Sequence, residues 1–232
     1  MRDLGQPFTV VECEQRSDEW KAARAGRLTA SVAHEMLAAP RKGAEESVQR
    51  RDLIIRLALE RITGRSLDDG FTSRDMDRGI EQEPRALDAF MVRSDRLVQT
   101  CGFLAHNTLP IGASLDGYLG EFEEIVSFKC PKPAIHYGYL ADGKLPKKYE
   151  PQYLHEMLMV PSAQVYHFVT FDGSFSGEVE PLQIFHVRLD RADAAIADYE
   201  AKMLAFLDEV DRKEAAIRTM AKGARCFEGA VA

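Results

Sequence analysis

The chain reads as an α/β or α+β domain in which helices flank a central mixed β-sheet, and three observations predict this. The first is the order of textures along the chain, helical at first, strand-rich from about Leu97, and helical again at the end. The second is a set of short β-type runs, LVQTCGFLAH, LPIGASLDGYL and EEIVSFK, separated by Asn, Gly and Asp. Such spacing suggests adjacent antiparallel strands in a meander. The third is a long amphipathic pattern over residues 191 to 221.

Taken in order, Ser17 is placed to cap a short helix over Trp20 to Arg24, and Thr29-Ala30-Ser31 precedes another running through Leu37. Residues 46 to 63 carry Leu53, Ile54, Leu57, Leu59 and Ile62 near helical period before Gly64 stops them. A further helix follows Arg78-Gly79 and covers Glu83 to Val92. Beyond the meander, Tyr149 to Val160 is helical and QVYHFVTF and LQIFHVRL are strands. In the last helix Ala194, Ile196, Tyr199, Met203, Phe206 and Leu207 are expected to pack on the sheet or on the preceding helix.

At 232 residues and 45% hydrophobic composition the chain can bury a sizeable core, and no Pro/Gly/Ser-rich linker divides it. A single domain over residues 1 to 232 is expected. There is no run of about 18 apolar residues, and MRDLGQPFTV lacks a basic region followed by an apolar one. Neither a membrane span nor a signal peptide is expected, and the location is read as cytoplasmic. Cys13, Cys101, Cys130 and Cys226 are scattered without a C-x-x-C pair, which argues against structural zinc or an iron–sulfur cluster and for small, partly buried thiols. The net charge of −7 disfavours a protein that coats nucleic acid. It leaves room for an enzyme that grips a phosphate backbone locally, through basic clusters at Arg41-Lys42, Arg50-Arg51 or Lys144, Lys147 and Lys148.

The chemistry concentrates between Ser114 and Lys129. Asp116 precedes Gly117, which places its carboxylate at the end of one strand and the start of the next, and Lys129 lies on the neighbouring strand before Cys130-Pro131 stops it. A carboxylate beside an amine suits phosphodiester hydrolysis. The acid holds Mg²⁺, bound water becomes more acidic, and the lysine orients that water or stabilises developing charge. Asp-Gly alone is a common turn dipeptide, so the weight comes from what accompanies the pair. Glu83 supplies a second carboxylate, whereas Glu81 faces elsewhere on the same helix and is read as solvated. Arg24 with Thr29-Ala30-Ser31 makes a phosphate pocket of a guanidinium and a hydroxyl. Gln152 is placed to hydrogen-bond a water or a phosphate. His155, a single helical histidine, is read as a packing or surface residue.

The run Trp20 to Ser31, Gly79-x-x-x-Glu83-x-x-Ala86, Ser114-x-Asp116-Gly117, Lys129-Cys130-Pro131 and Tyr149-x-x-Gln152 together resemble the lambda-exonuclease and YqaJ-type viral recombinase nucleases, in the family's order and over roughly residues 11 to 215. The resemblance implies the restriction-endonuclease-like PD-(D/E)xK fold and Mg²⁺-dependent degradation of one strand of linear duplex DNA from the 5′ end. Mn²⁺ is expected to substitute. It also implies a homotrimer and a single-strand annealing protein as partner. Carried over by position, Asp116 and Glu83 are metal ligands with the backbone carbonyl of Phe128, Lys129 acts on the attacking water, and Arg24, Ser31 and Ser114 bind the 5′-phosphate. Asp116, Lys129, Glu83 and Gln152 form the catalytic set.

Ser127 departs from the motif, which has a glutamate or aspartate two residues before the lysine. A hydroxyl is a much poorer Mg²⁺ ligand than a carboxylate. Glu123 is four residues from position 127, about 13 Å along a strand, and Glu124 points to the opposite face unless a bulge intervenes. The alternative reading is therefore a nuclease scaffold that binds DNA ends or a recombination partner without cutting. Leu154 is a second departure, at a place where some relatives carry another glutamine.

Overall fold

The computed structural model describes residues 5–67 and 74–228. Strand β1 (Phe8–Val11) leads into helix α1 (Asp18–Arg24), whose first turn is capped as expected: the Ser17 side chain accepts from the Trp20 amide. Strand β2 (Leu28–Thr29), a 3₁₀ turn (Ala30–Val32) and the short α2 (Ala33–Met36) follow. Helix α3 (Val48–Thr63) starts on a Ser47 cap and ends at Gly64, whose φ of 68° is the left-handed conformation that glycine adopts without a Cβ clash. Leu53, Ile54, Leu57 and Ala58 form its buried stripe.

Helix α4 (Arg74–Ser94) begins before Gly79, so that glycine lies inside the helix rather than ahead of it. An interior glycine costs a helix only about 1 kcal/mol, which a helix of 21 residues absorbs. Strands β3 (Phe103–His106), β4 (Ile111–Ser114), β5 (Gly117–Leu119) and β6 (Glu124–Lys129) occupy the strand-rich region. Helices α5 (Pro133–Asp142) and α6 (Glu150–Met159) come next, then strands β7 (Val165–Phe171) and β8 (Ile184–Asp190), and finally α7 (Asp193–Glu228).

The strands are divided between two four-stranded sheets, β1-β3-β4-β2 and β5-β6-β7-β8, each mixed in direction. The meander is therefore interrupted. The β3–β4 and β5–β6 pairs are antiparallel as expected, but β4 and β5 are not partners. The physical reason lies in the two residues between them. Leu115 is buried in the core, and Asp116 turns its carboxylate onto the β6 backbone, so the chain crosses from one sheet to the other instead of folding back. An isolated bridge between Gln99 and Tyr118 links the region ahead of β3 to β5.

One face of the second sheet carries Ile125, Tyr166 and Phe168 into the main core, where α6 covers them. The opposite face carries Val126, Phe128, Val169 and Phe171 against Ala86 and Phe90 of α4. Helix α7 buries Ile196, Tyr199, Met203, Phe206 and Leu207 while Ala194 stays exposed, and it packs on α3 and α6. The α3–α7 contact is clamped by Arg50, which donates to both Glu209 oxygens at 2.7 and 2.8 Å. Cys13, Cys101 and Cys130 are free, partly buried thiols; the side chain of Cys226 lies outside the described residues.

Candidate active site

Asp116 sits at the seam between the sheets, and one of its oxygens gathers the neighbouring strand. Oδ2 accepts from the Phe128 amide at 2.8 Å and from the Ser127 hydroxyl at 3.1 Å, and Lys129 Nζ lies 3.5 Å away. Register explains the meeting. Gly117 pairs with Val126, so the residue before Gly117 falls opposite Ser127 and its neighbours.

Lys129 is held with its charge intact. Burial works against its ammonium, but Asp116, Glu156, Tyr149 and Glu83 together raise its pKa above the ordinary value. At neutral pH it therefore acts as a cation and a hydrogen-bond donor, not as a base. Its Nζ also lies 5.9 Å from the centre of the Tyr149 ring, within cation–π range.

Glu83 approaches from α4. Burial and then the charge of Asp116 push its carboxyl up to about 7, with Lys129 and Arg16 opposing. The helix is pinned there by Arg78, which donates to the carbonyls of Cys130 (3.3 Å) and Pro131 (2.5 Å), just past the end of β6. Its other nitrogen lies 3.0 Å from the fully buried Asp172, a close ion pair that lacks hydrogen-bond alignment. Glu81 is exposed, as its position on the helix implies.

A second group of predicted residues converges nearby. Arg24 Nη2 donates to Thr29 Oγ1 at 3.2 Å and to Ser31 Oγ at 3.1 Å, and its guanidinium lies 4.1 Å from the Trp20 ring centre. The indole N–H of Trp20 donates to Ser114 Oγ at 2.9 Å. That hydroxyl accepts from Trp20 and keeps its own proton for another acceptor. Ser114 ends β4, two residues from Asp116, so α1, the 3₁₀ turn and the seam are joined into one surface.

Gln152 is placed differently from the expectation. Its amide nitrogen donates to Glu156 Oε1 at 2.7 Å, one helical turn along α6. Glu156 is 1% exposed, and its other oxygen accepts from Tyr166 Oη at 2.9 Å. Burial and then Asp116 push this carboxyl up to about 7 as well. Sequence reasoning missed Glu156. The available signal was the four-residue spacing from Gln152, which puts both on one helical face.

The two glutamates near the missing motif carboxylate do not replace it. Glu124 is held by Arg96 at 2.6 and 2.7 Å and by His167 at 2.5 Å, on the α4 side of the sheet. Glu123 is exposed. His155 is a packing residue, fully buried between Tyr199 and the Gly112 carbonyl.

Asp116, Glu83 and the Phe128 carbonyl offer only oxygen donors, the set suited to a hard divalent cation. Burial is the main reason Glu83 is raised, and the repulsion from Asp116 that adds to it is the kind of excess charge that such a cation relieves. Among the described residues, no three His, Cys, Asp or Glu side chains are gathered closely enough to form a ready ion site. No described helix is long and apolar enough to cross a membrane.

Comparison with solved structures finds exonucleases of similar fold. The alkaline exonuclease LHK-Exo from Laribacter hongkongensis is 28% identical with a TM-score of 0.77, covering 90% of this chain and 100% of its own. The structure of LHK-Exo in complex with dAMP matches with the same identity, coverage and score. A phage-related exonuclease from Haemophilus somnus 129PT, at 15% identity and a TM-score of 0.58 over 84% of this chain and 96% of its own, shares the fold. Comparison with curated proteins gives no match. The YqaJ-like viral recombinase domain matches residues 19–162, and with that span holding the Trp20–Ser31 segment, the seam and Lys129, the chain belongs to the YqaJ-like viral recombinase family.

Proposed function

We propose that the protein is a metal-dependent deoxyribonuclease that degrades linear double-stranded DNA from the 5′ end in phage-type recombination. The observation that carries this reading is the meeting of Lys129, Ser127 and the Phe128 amide on one oxygen of Asp116, whose charge Glu83 also feels. Asp116, Glu83 and the Phe128 carbonyl would hold Mg²⁺, or Mn²⁺ in its place, and the ion would supply an acidified water and a counter-charge for the phosphate. Asp116 is oriented by the β6 backbone amide, which leaves Oδ1 turned away from that bond. Lys129, protonated, steadies the attacking water and the charge that develops on the phosphate oxygens.

Arg24, Ser31 and Ser114 hold the terminal 5′-phosphate. The guanidinium is pre-set by Thr29 and Trp20, and the Ser114 proton is free to donate. The relatives' exonuclease names support a DNA-end substrate, and the dAMP complex of LHK-Exo supports a mononucleotide product. A homotrimer and an annealing protein that receives the 3′ strand belong to the same reading.

The test is incubation of the full chain with Mg²⁺ or Mn²⁺ and linear duplexes bearing a 5′-phosphate or a 5′-hydroxyl, with a closed circle as control. Loss of the 5′-phosphorylated strand with release of mononucleotides is expected. Intact linear DNA with either ion would refute the reading. Ser127 favours a second one, a scaffold that binds DNA ends without cutting, because the buried hydroxyl stands where the motif has a carboxylate. In that case end binding persists without cleavage, and Ser127→Glu creates activity.

A further inference from the structure

Between the end of β6 and the start of α6 the charge of this acidic chain reverses. Residues 129 to 149 hold five lysines against a single acid, Asp142, in a chain of net charge −7. Lys144, Lys147 and Lys148 are exposed, and among the described residues none of the three forms an ion pair with a carboxylate. Lys21, Lys202, Arg212 and Arg218, by contrast, each pair with an acid about one helical turn away. Lys148 is held in place without such a partner. Its Nζ lies 4.7 Å from the Tyr149 ring centre and 5.7 Å from that of Tyr139, and the two rings meet edge-on at 6.4 Å. Tyr149 in turn packs on Phe168 of β7 at 5.1 Å, which ties the ammonium to the sheet. The same Tyr149 ring has Lys129 Nζ 5.9 Å from its centre. The two ammonium groups are thus no farther apart than the sum of their distances to that ring, about three nucleotides of duplex rise.

Aromatic rings localise a cation without cancelling its charge, whereas a carboxylate partner would do both. Burial works against the Lys148 ammonium, but Tyr139 and Tyr149 together raise its pKa above the ordinary value, so it stays charged at neutral pH. Two cations that share one ring repel each other, and an arriving polyanion relieves that repulsion. We propose that Lys148 grips a backbone phosphate of the DNA strand as it enters the Asp116–Lys129 seam, a contact separate from the terminal 5′-phosphate pocket at Arg24. This rests on the nuclease reading above. Lys148 is then a positioning residue: it fixes the path of the strand past Tyr149 through a phosphate that every nucleotide carries, and it supplies affinity and register without sequence preference. Lys144 and Lys147 add to the field that draws the backbone in.

The grip is tested by fluorescence anisotropy of labelled linear duplex DNA with the full chain in EDTA, from about 50 to 200 mM salt. The variants are Lys148→Met, which keeps the stem on the rings and loses the charge, Lys148→Arg, and Lys213→Gln as a charge control on α7, with circular dichroism to report folding. Lys148→Met should weaken binding by about 5- to 10-fold near 0.1 M salt and flatten the slope of log K against log salt by about 0.9. The loss should be equal for 5′-phosphorylated and 5′-hydroxyl ends, because the gripped phosphate is internal. Lys148→Arg and Lys213→Gln should both keep the parent's affinity and slope. The proposal is overturned if folded Lys148→Met binds like the parent, if its loss is confined to 5′-phosphorylated ends, or if Lys148→Arg or Lys213→Gln loses as much. If Lys148→Met fails to fold, Lys148→Gln takes its place, and failure of both to fold overturns the proposal, since a residue that serves only DNA carries none of the fold. A parent that binds no linear DNA defeats the nuclease reading as well, whereas a parent that binds alongside an unaffected Lys148→Met defeats only the role of Lys148.

Discussion

Acid should unfold this protein partly through His155, and the effect can be isolated by His155→Gln. The imidazole is fully buried on α6, with Nε2 3.1 Å from the Gly112 carbonyl of β4 and Nδ1 2.7 Å from Tyr199 Oη of α7. A carbonyl only accepts, so Nε2 carries the proton and Nδ1 accepts from the tyrosine. The ring therefore ties three elements together in its neutral form. Burial pushes its pKa down to about 4, against a small opposing pull from the Gly112 carbonyl, whereas in the unfolded chain it titrates near 6.5. Between those values the unfolded state binds more protons, so stability is full above the unfolded pKa and is lost as pH falls toward the folded one. At about 1.36 kcal/mol per unit, the whole interval is worth on the order of 3 kcal/mol. Glutamine offers a donor and an acceptor but no titration. Urea unfolding followed by circular dichroism should find His155→Gln less stable than the parent at about pH 7.5, by about 1–2 kcal/mol. That gap should close or reverse by about pH 4.5. A difference between parent and variant that stays constant across the range would refute the argument.

Three further outcomes follow from the site and its supports. Asp116→Asn keeps the shape but removes the charge at the seam, and single-turnover cleavage of 5′-phosphorylated duplex should fall roughly a thousandfold, the equivalent of about 4 kcal/mol in the barrier. Arg24→Ala removes a charged donor worth about 1.5–3 kcal/mol; the expected signature is a KM raised by about 10- to 100-fold for 5′-phosphorylated ends and little change for 5′-hydroxyl ends. Gly26→Ala forces a Cβ to within 2.5 Å of Arg61 Cγ at a φ of 70°. The left-handed backbone alone costs about 1–2 kcal/mol, which in a chain of this size should lower the Tm by about 2–8 °C in a calorimetric scan.

The elements that were legible in the sequence are those whose signals are local. The Ser17 cap, the Gly64 stop, the α3 stripe and the long final helix each depend on neighbours a few residues away, and each stands where its pattern puts it. The elements that were not legible depend on distant partners. Strand β1 has only four residues and pairs with β3 some hundred residues later. Helix α5 opens on Pro133, but in Cys130-Pro131-Lys132-Pro133 the same residue type that stops a strand also starts a helix. The parallel β6–β7 pairing requires α5 and α6 as its crossover, and no local pattern announces it. At the site, Asp116, Lys129, Arg24, Ser31 and Ser114 were legible because their motifs lie in short windows. Glu156 was not, since an acid in a helix ordinarily reads as solvated, and its burial is created by Tyr166 from the next strand.

The position of Asp116 between two sheets also bears on how the protein comes into being. Ser114 belongs to the first sheet and Ser127 and Lys129 to the second, while Glu83 arrives on a helix packed against the far side of the second. Neither half alone brings the Trp20–Ser114 contact beside the Asp116–Lys129 pair. Under the proposed nuclease reading, a partly synthesised or partly unfolded chain carries all the chemical groups but not their assembly, and hydrolytic competence would read out complete folding. For the proposed activity on DNA, this coincidence requirement would act as a safeguard written into the topology.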